Sequence, residues 1–281
     1  MTDLRNLMDF ALAKQRRNMS QGADDSWAQS SSVFVASTGR TGSDTLIKVL
    51  QHAENVIAHH EPHPRMREYT NDSFQNVAVE RERFRQVFLS ARSDLISEAF
   101  RARKIYVEST LMKGFLPVIL DTLPNSKLVH LVRHPGGVVR SGMRRGWYES
   151  HVHDRWRLQP GVSSPIRKLW DTKWSRFEKI CWYWHAINEF ILEAGDSVQP
   201  ERRRIVKFEA FVDPDTGALK ELLHFIGVAR ISAEAIASTL DAKHNRQESG
   251  TFPPYTEWSD QQREQLGQIA GTTMVRLGYA L

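Results

Sequence analysis

The chain has 281 residues, of which 41% are hydrophobic and 25% charged, with a formal net charge of +5. That is the composition of a soluble globular protein with room for one large domain and a substantial core. It excludes a transmembrane helix, because the apolar runs are short, and a nucleic-acid stripe, because basic residues alternate with acids as in Glu80-Arg81-Glu82-Arg83.

Met1 to Ser32 reads as an N-terminal leader (1–32), with Leu4, Leu7, Met8 and Ala11 on one helical face and no apolar core of a secretory signal. The main domain runs over 33–281. Val33 to Ser37 is a first strand, β-branched and apolar. A turn with Gly39 and Gly42 around Arg40 and Thr41 follows, and Ser43 to Ala53 reads as a helix. Strand, glycine turn and helix together build a phosphate-binding loop, since glycines admit an anion close to the backbone and the helix start offers N–H groups. It differs from an ATP-type loop: no Lys follows Gly42, and Arg40 is the turn's only cation.

Asn55 to Ala58 is a short apolar segment ending in the polar cluster His59-His60-Glu61-Pro62-His63-Pro64-Arg65. Gln75 to Arg103 has helical periodicity throughout. Lys104 to Glu108 is a second strand, Gly114 to Leu123 a helix with Pro117 early in it, and Lys127 to Val132 a third strand of nearly continuous apolar character. Arg133 stands at that strand's end, and Ser141 lies eight residues on within a helix over Val138 to Arg145. One anion can touch both if the helix folds back across the strand end.

Glu149 to Ser164 reads as a polar loop. Thr172 to Ala194 carries a strong helical stripe that includes Trp174, Cys181 and Trp184. Cys181 is the only cysteine, which excludes an internal disulfide and fits a reducing cytoplasm. Arg204 to Phe208 is a fourth strand. Short helices over Asp215 to Ile226 and Ser232 to Leu240, a polar loop from Ala242 to Thr256, and a last helix from Ser259, with Ser259 as its cap, complete the chain. Strands alternating with helices predict an α/β fold: a single doubly wound domain on a central parallel sheet.

Ser-Thr-Gly-Arg-Thr-Gly-Ser at 37–43 and Leu-Val-Arg-His-Pro-Gly-Gly-Val-Val-Arg-Ser at 131–141 together resemble the PAPS-dependent sulfotransferases. The resemblance extends through 204–211 to Trp258 and the terminal Leu277-Gly278-Tyr279. It implies that Gly39, Arg40, Thr41, Gly42, Ser43, Asp44 and Thr45 cradle the 5′-phosphosulfate of PAPS. It implies that Arg133 and Ser141 hold the 3′-phosphate, with Arg246 a further contact, and that PAP is the product. Asp44 replaces the Thr or Ser of many members and reads as a helix cap.

The resemblance further implies Glu61 as the base that activates an acceptor hydroxyl, with His63 and Glu108 behind it, and Arg40 as the group that stabilises the departing phosphate oxygen. The Lys common after the second strand is missing from Glu108-Ser109-Thr110, and Lys113 is its nearest substitute. His59, His60 and His63 lack the spacing of a zinc site, so no metal is expected. The expected acceptor is a sugar, a glycolipid or a small metabolite. Two other classes stay open: a nucleotide kinase of shared P-loop ancestry and a non-catalytic nucleotide-binding module.

Overall fold

The computed structural model describes residues 28–213, 216–242 and 250–280. Most of the expected leader, and Arg246 with its loop, lie outside them. Residues 28–31 are held to the domain: Asn125 Nδ2 donates to the Gln29 carbonyl at 2.9 Å, and Ser30 is buried.

The sheet has five strands, all parallel, in the order β2-β3-β1-β4-β5. They are β1 (Ser32–Ala36), β2 (Val56–His60), β3 (Ile105–Ser109), β4 (Lys127–Val132) and β5 (Arg203–Lys207). Four of these follow the sequence pattern. The fifth, β2, lies where the apolar run ends at Ala58. It continues through His59 and His60 because it is an edge strand whose alternate residues are only half-buried.

Alternation along the strands gives the sheet two dry faces. Val33 and Val35 of β1 face α1 (Ser43–Leu50), packing with Leu46, Ile47 and Leu50. On the opposite face Phe34 packs with Phe84 and Phe88 of a long helix over Arg81–Arg101, while Ala36 joins the layer around Trp184. Helices on both faces make the fold doubly wound, as the pattern predicts.

The expected helix over 75–103 is two: α2 (Thr70–Asn76) and α3 (Arg81–Arg101), separated by a short turn. The helix near 114 opens as a 3₁₀ turn over Lys113–Phe115, and α4 (Leu116–Thr122) takes Pro117 into its first turn, where no N–H is needed. α5 (Pro135–Arg144) starts earlier than expected because Pro135 presets the first turn and His134 caps it. The helix expected over Thr172 to Ala194 is α7 (Arg176–Asp196), which begins four residues later because Ser175 and Glu178 form a capping box, and a short helix, α6 (Arg167–Thr172), precedes it. α8 (Phe208–Phe211), α9 (Ala218–Ile226), α10 (Ala233–Asp241) and α11 (Asp260–Arg276) follow. Ser259 caps α11, as its sequence suggests. Among the described residues no helix is long and apolar enough to cross a membrane.

Candidate active site

Parallel strands deliver their carboxyl ends to one edge of the sheet, and the loops there line a cleft of about 530 Å³. Its floor is the 37–45 loop after β1, apart from the buried Thr41, with His60 and Glu61 at the end of β2, Ser109, Thr110, Leu111 and Lys113 at the end of β3, and Arg133 after β4. A strap containing Trp147, His151, His153 and Arg157 forms the far wall.

The first loop is a concave backbone turn. Gly39, Arg40 and Gly42 all have positive φ, at 80°, 60° and 80°. Such runs turn successive N–H groups toward one point, which suits an anion. Gly42 is fixed as glycine twice over: its φ is left-handed, and a Cβ there would meet the Phe208 ring at 2.7 Å. Gly42 also stands at the N-cap of α1, where no side chain takes up the first N–H groups. Asp44 is therefore not the cap. It lies in the first turn and pairs with Lys48 at 3.0 Å, which offsets its charge. Thr41 is fully buried, with Oγ1 unpartnered among the described residues. Ser43 Oγ stands 3.4 Å from His60 Nε2.

The second cup comes from α5, which does fold back across the strand end. Arg40 Nε donates to Ser141 Oγ at 3.1 Å, and Arg133 Nη1 donates to the Arg40 carbonyl at 3.0 Å. Residues from 40, 133 and 141 thus meet in one place. Arg133 is steadied by the Phe208 ring, 4.5 Å from its guanidinium, and by the Trp184 indole, which donates to its carbonyl at 2.9 Å. Arg145, one turn beyond Ser141 on the same helix face, adds a third guanidinium. Burial, and then Arg145 and Arg133 as like charges, lower the Arg40 pKa to about 10. A group of cations that weaken one another is a site built for an anion.

Glu61 stands at the cleft in a left-handed conformation, φ 48°, with its N–H donating to the Ser109 carbonyl at 3.0 Å. Its Oε2 pairs with Arg67 Nη2 at 3.1 Å. Arg67 Nη1 lies 2.9 Å from His153 Nε2, and since arginine only donates, that nitrogen accepts and the ring is neutral. Burial and then Arg67 push the His153 pKa down, in keeping with that tautomer.

The other two base candidates stand elsewhere. His63 is exposed and outside the cleft lining. Glu108 is fully buried on the opposite face of β3 and pairs with Arg92 at 2.7 Å. Strand alternation sends Ser109, not Glu108, to the cleft. Lys113 does line the cleft, and its ammonium has no hydrogen bond or ion pair to another described residue. Arg67, Arg145 and the strap histidines were not singled out by the sequence. Only Arg145 carries a signal there, its four-residue spacing from Ser141.

A model of the sulfotransferase family matches residues 32–232, most of the chain. The protein belongs to the sulfotransferase family, a class of transferases. Among solved structures, the sulfotransferase domain from the curacin biosynthetic pathway superposes with a TM-score of 0.50 at 17% identity, covering 90% of this chain and 99% of that one. Sulfotransferase STF9 from Mycobacterium avium gives a TM-score of 0.50 at 11% identity, covering 90% and 78%. At such identities the likeness is one of fold. No curated protein matches the chain.

Proposed function

We propose that this protein transfers the sulfonate group of PAPS to a hydroxyl of a sugar, glycolipid or small-metabolite acceptor, by in-line displacement with Glu61 as general base. One observation carries the reading: the two cups on 39–45 and on Arg133 and Ser141 are joined by the Arg40–Ser141 contact of 3.1 Å. A single nucleotide with phosphates at both ends of its ribose suits that pair of cups, and a simple triphosphate does not require the second.

The donor set fits such a ligand. Left-handed turns at Gly39 and Gly42 present N–H groups, and three arginines supply positive charge. PAPS, when bound, supplies an activated sulfuryl group. Glu61 takes the acceptor's proton through Oε1, since Oε2 is engaged by Arg67. Arg40 and the loop amides hold the charge that grows on the departing phosphate oxygen, as preorganised donors do in related displacements. The new O–S bond forms as the S–O bond to phosphate breaks, and PAP leaves. Lys113 lines the same cleft, and in this reading its ammonium assists at the bridging oxygen. Trp147 and Trp156 line the part of the cleft an acceptor would enter, each with an arginine stacked on its ring. The buried, solitary Cys181 supports a cytoplasmic setting.

The test is calorimetry with PAP in magnesium-free buffer, followed by sulfonate transfer from labelled PAPS over a panel of sugars, lipids and phenols. Binding of PAP without metal and labelled product are expected. Binding of ATP with magnesium, and none of PAP, would refute the proposal.

A further inference from the structure

Glu108, displaced from the cleft, has a different place in the molecule. Between β3 and α3 the core is aromatic and aliphatic, yet it holds a charged pair. Arg92 is 1% exposed and Glu108 0%. Arg92 Nε donates to Glu108 Oε2 at 2.7 Å, and the Tyr106 hydroxyl, from the same strand face, donates to the same oxygen at 2.7 Å. Burying an ion pair in such a layer brings little net stability by itself, because desolvation offsets the attraction. Its value must be sought in what else the guanidinium does.

That guanidinium reaches out of the core to the loop carrying Glu61. Nη1 donates to the Pro64 carbonyl at 2.9 Å, and Nη2 to the Pro62 carbonyl at 3.2 Å. Proline has no N–H, so a carbonyl is the only backbone hydrogen-bonding group that residues 62 and 64 possess. Arg92 takes both. On the other side, the Glu61 N–H is held by the Ser109 carbonyl at 3.0 Å. Glu61 is thus fixed at its amide by β3 and just downstream by Arg92, in a left-handed backbone conformation that a non-glycine residue keeps only when its surroundings impose it. Glu108, itself held by the Tyr106 hydroxyl, in turn fixes the plane of Arg92.

We propose that Arg92, Glu108 and Tyr106 form a buried positioning unit that sets the backbone of the 61–64 loop and so aims the Glu61 carboxylate at the acceptor hydroxyl. The inference rests on Glu61 as the base. None of the three touches substrate; they act through the loop. A general base loses its effect when displaced by about an ångström, so rigidity here translates into turnover.

Single removal of one charge would leave the other buried and unpaired, with a risk of misfolding. The informative variant is therefore the double substitution Arg92→Met with Glu108→Leu, which keeps volume and removes the grip on both carbonyls. Tyr106→Phe is the milder companion. Each is measured for thermal unfolding, for PAP affinity by calorimetry, and for kcat and KM with labelled PAPS. The expected result is a folded double variant with wild-type PAP affinity and donor KM, and kcat down about 10- to 100-fold. Tyr106→Phe should show the same pattern at smaller amplitude. Adding Glu61→Gln to the double variant should lower kcat no further than Glu61→Gln does alone, the mark of residues acting in one unit. A merely structural pair would move the unfolding midpoint and leave kcat per folded molecule unchanged. The proposal is overturned by a double variant that turns over at the wild-type rate while Glu61→Gln is inactive. It falls together with the assignment of the base if Glu61→Gln itself keeps wild-type turnover.

Discussion

Arg133 offers the sharpest test of the two-cup site. Replacing it with alanine removes a guanidinium that donates to the Arg40 carbonyl and lies 4.5 Å from the Phe208 ring. A hydrogen bond to a charged group contributes about 1.5–3 kcal/mol, so loss of the phosphate contact should weaken PAP binding about 10- to 150-fold. The cost to the fold is smaller, ~1–2 kcal/mol for one hydrogen bond and one cation–π contact, and the domain should stay folded. Calorimetry with PAP in magnesium-free buffer gives the affinity, and thermal unfolding without nucleotide gives the stability. Arg133→Lys should recover only part of the loss, because an ammonium lacks the planar fork that grips two oxygens. A folded Arg133→Ala protein that binds PAP within twofold of the wild type would refute the reasoning.

Three further outcomes test neighbouring parts of the structure. In Gly137→Ala, the new Cβ would lie 2.7 Å from Arg133 Nε, so the guanidinium must swing aside; PAP affinity should fall, by less than in Arg133→Ala, with little change in melting. Gly42→Ala combines a left-handed backbone with contact on the Phe208 ring and should destabilise the protein by ~1–3 kcal/mol, measured by denaturant unfolding. His130 is buried beside Asn188, and burial lowers its pKa to about 4. The unfolded chain then binds more protons between pH 4 and 6.5, so the stability due to neutral His130 is full above pH 6.5 and is lost as the pH falls toward 4. From the size of that shift, the loss is on the order of 3 kcal/mol. His130→Gln should make unfolding free energy flatter over that range; an unchanged pH slope would count against the assignment.

The sequence reveals much of this architecture because its signals are local. Buried parallel strands announce themselves as apolar runs, and the glycine turn with its arginine is a contiguous motif. β2 escapes notice because its last residues, His59 and His60, are polar and sit on an edge. The start of α7 at Arg176 rather than Thr172 depends on a cap that is visible only as a Ser followed three residues later by Glu, and it is easily passed over beside a run of aromatics. At the site, Arg40, Arg133 and Ser141 are legible from motif spacing. His153 reaches Arg67, the partner of Glu61, only through tertiary folding, from 86 positions away in the sequence. Glu108 shows the opposite failure. Its position at a strand end suggests chemistry, but the parity of the strand turns it inward, and parity is fixed only once the register with Phe34 is known.

The crowding of Arg40, Arg133 and Arg145 reaches beyond chemistry. Three like charges held together by the surrounding fold are a standing internal stress, and a polyanion settling among them relieves it. If the proposed nucleotide occupies this site, it becomes a component of the protein's own cohesion. At a concentration a hundred times its dissociation constant, a ligand that binds only the folded form adds about 2.7 kcal/mol of stability. Resistance to heat and to proteolysis should therefore rise and fall with the supply of the doubly phosphorylated nucleotide, even when no acceptor is being modified.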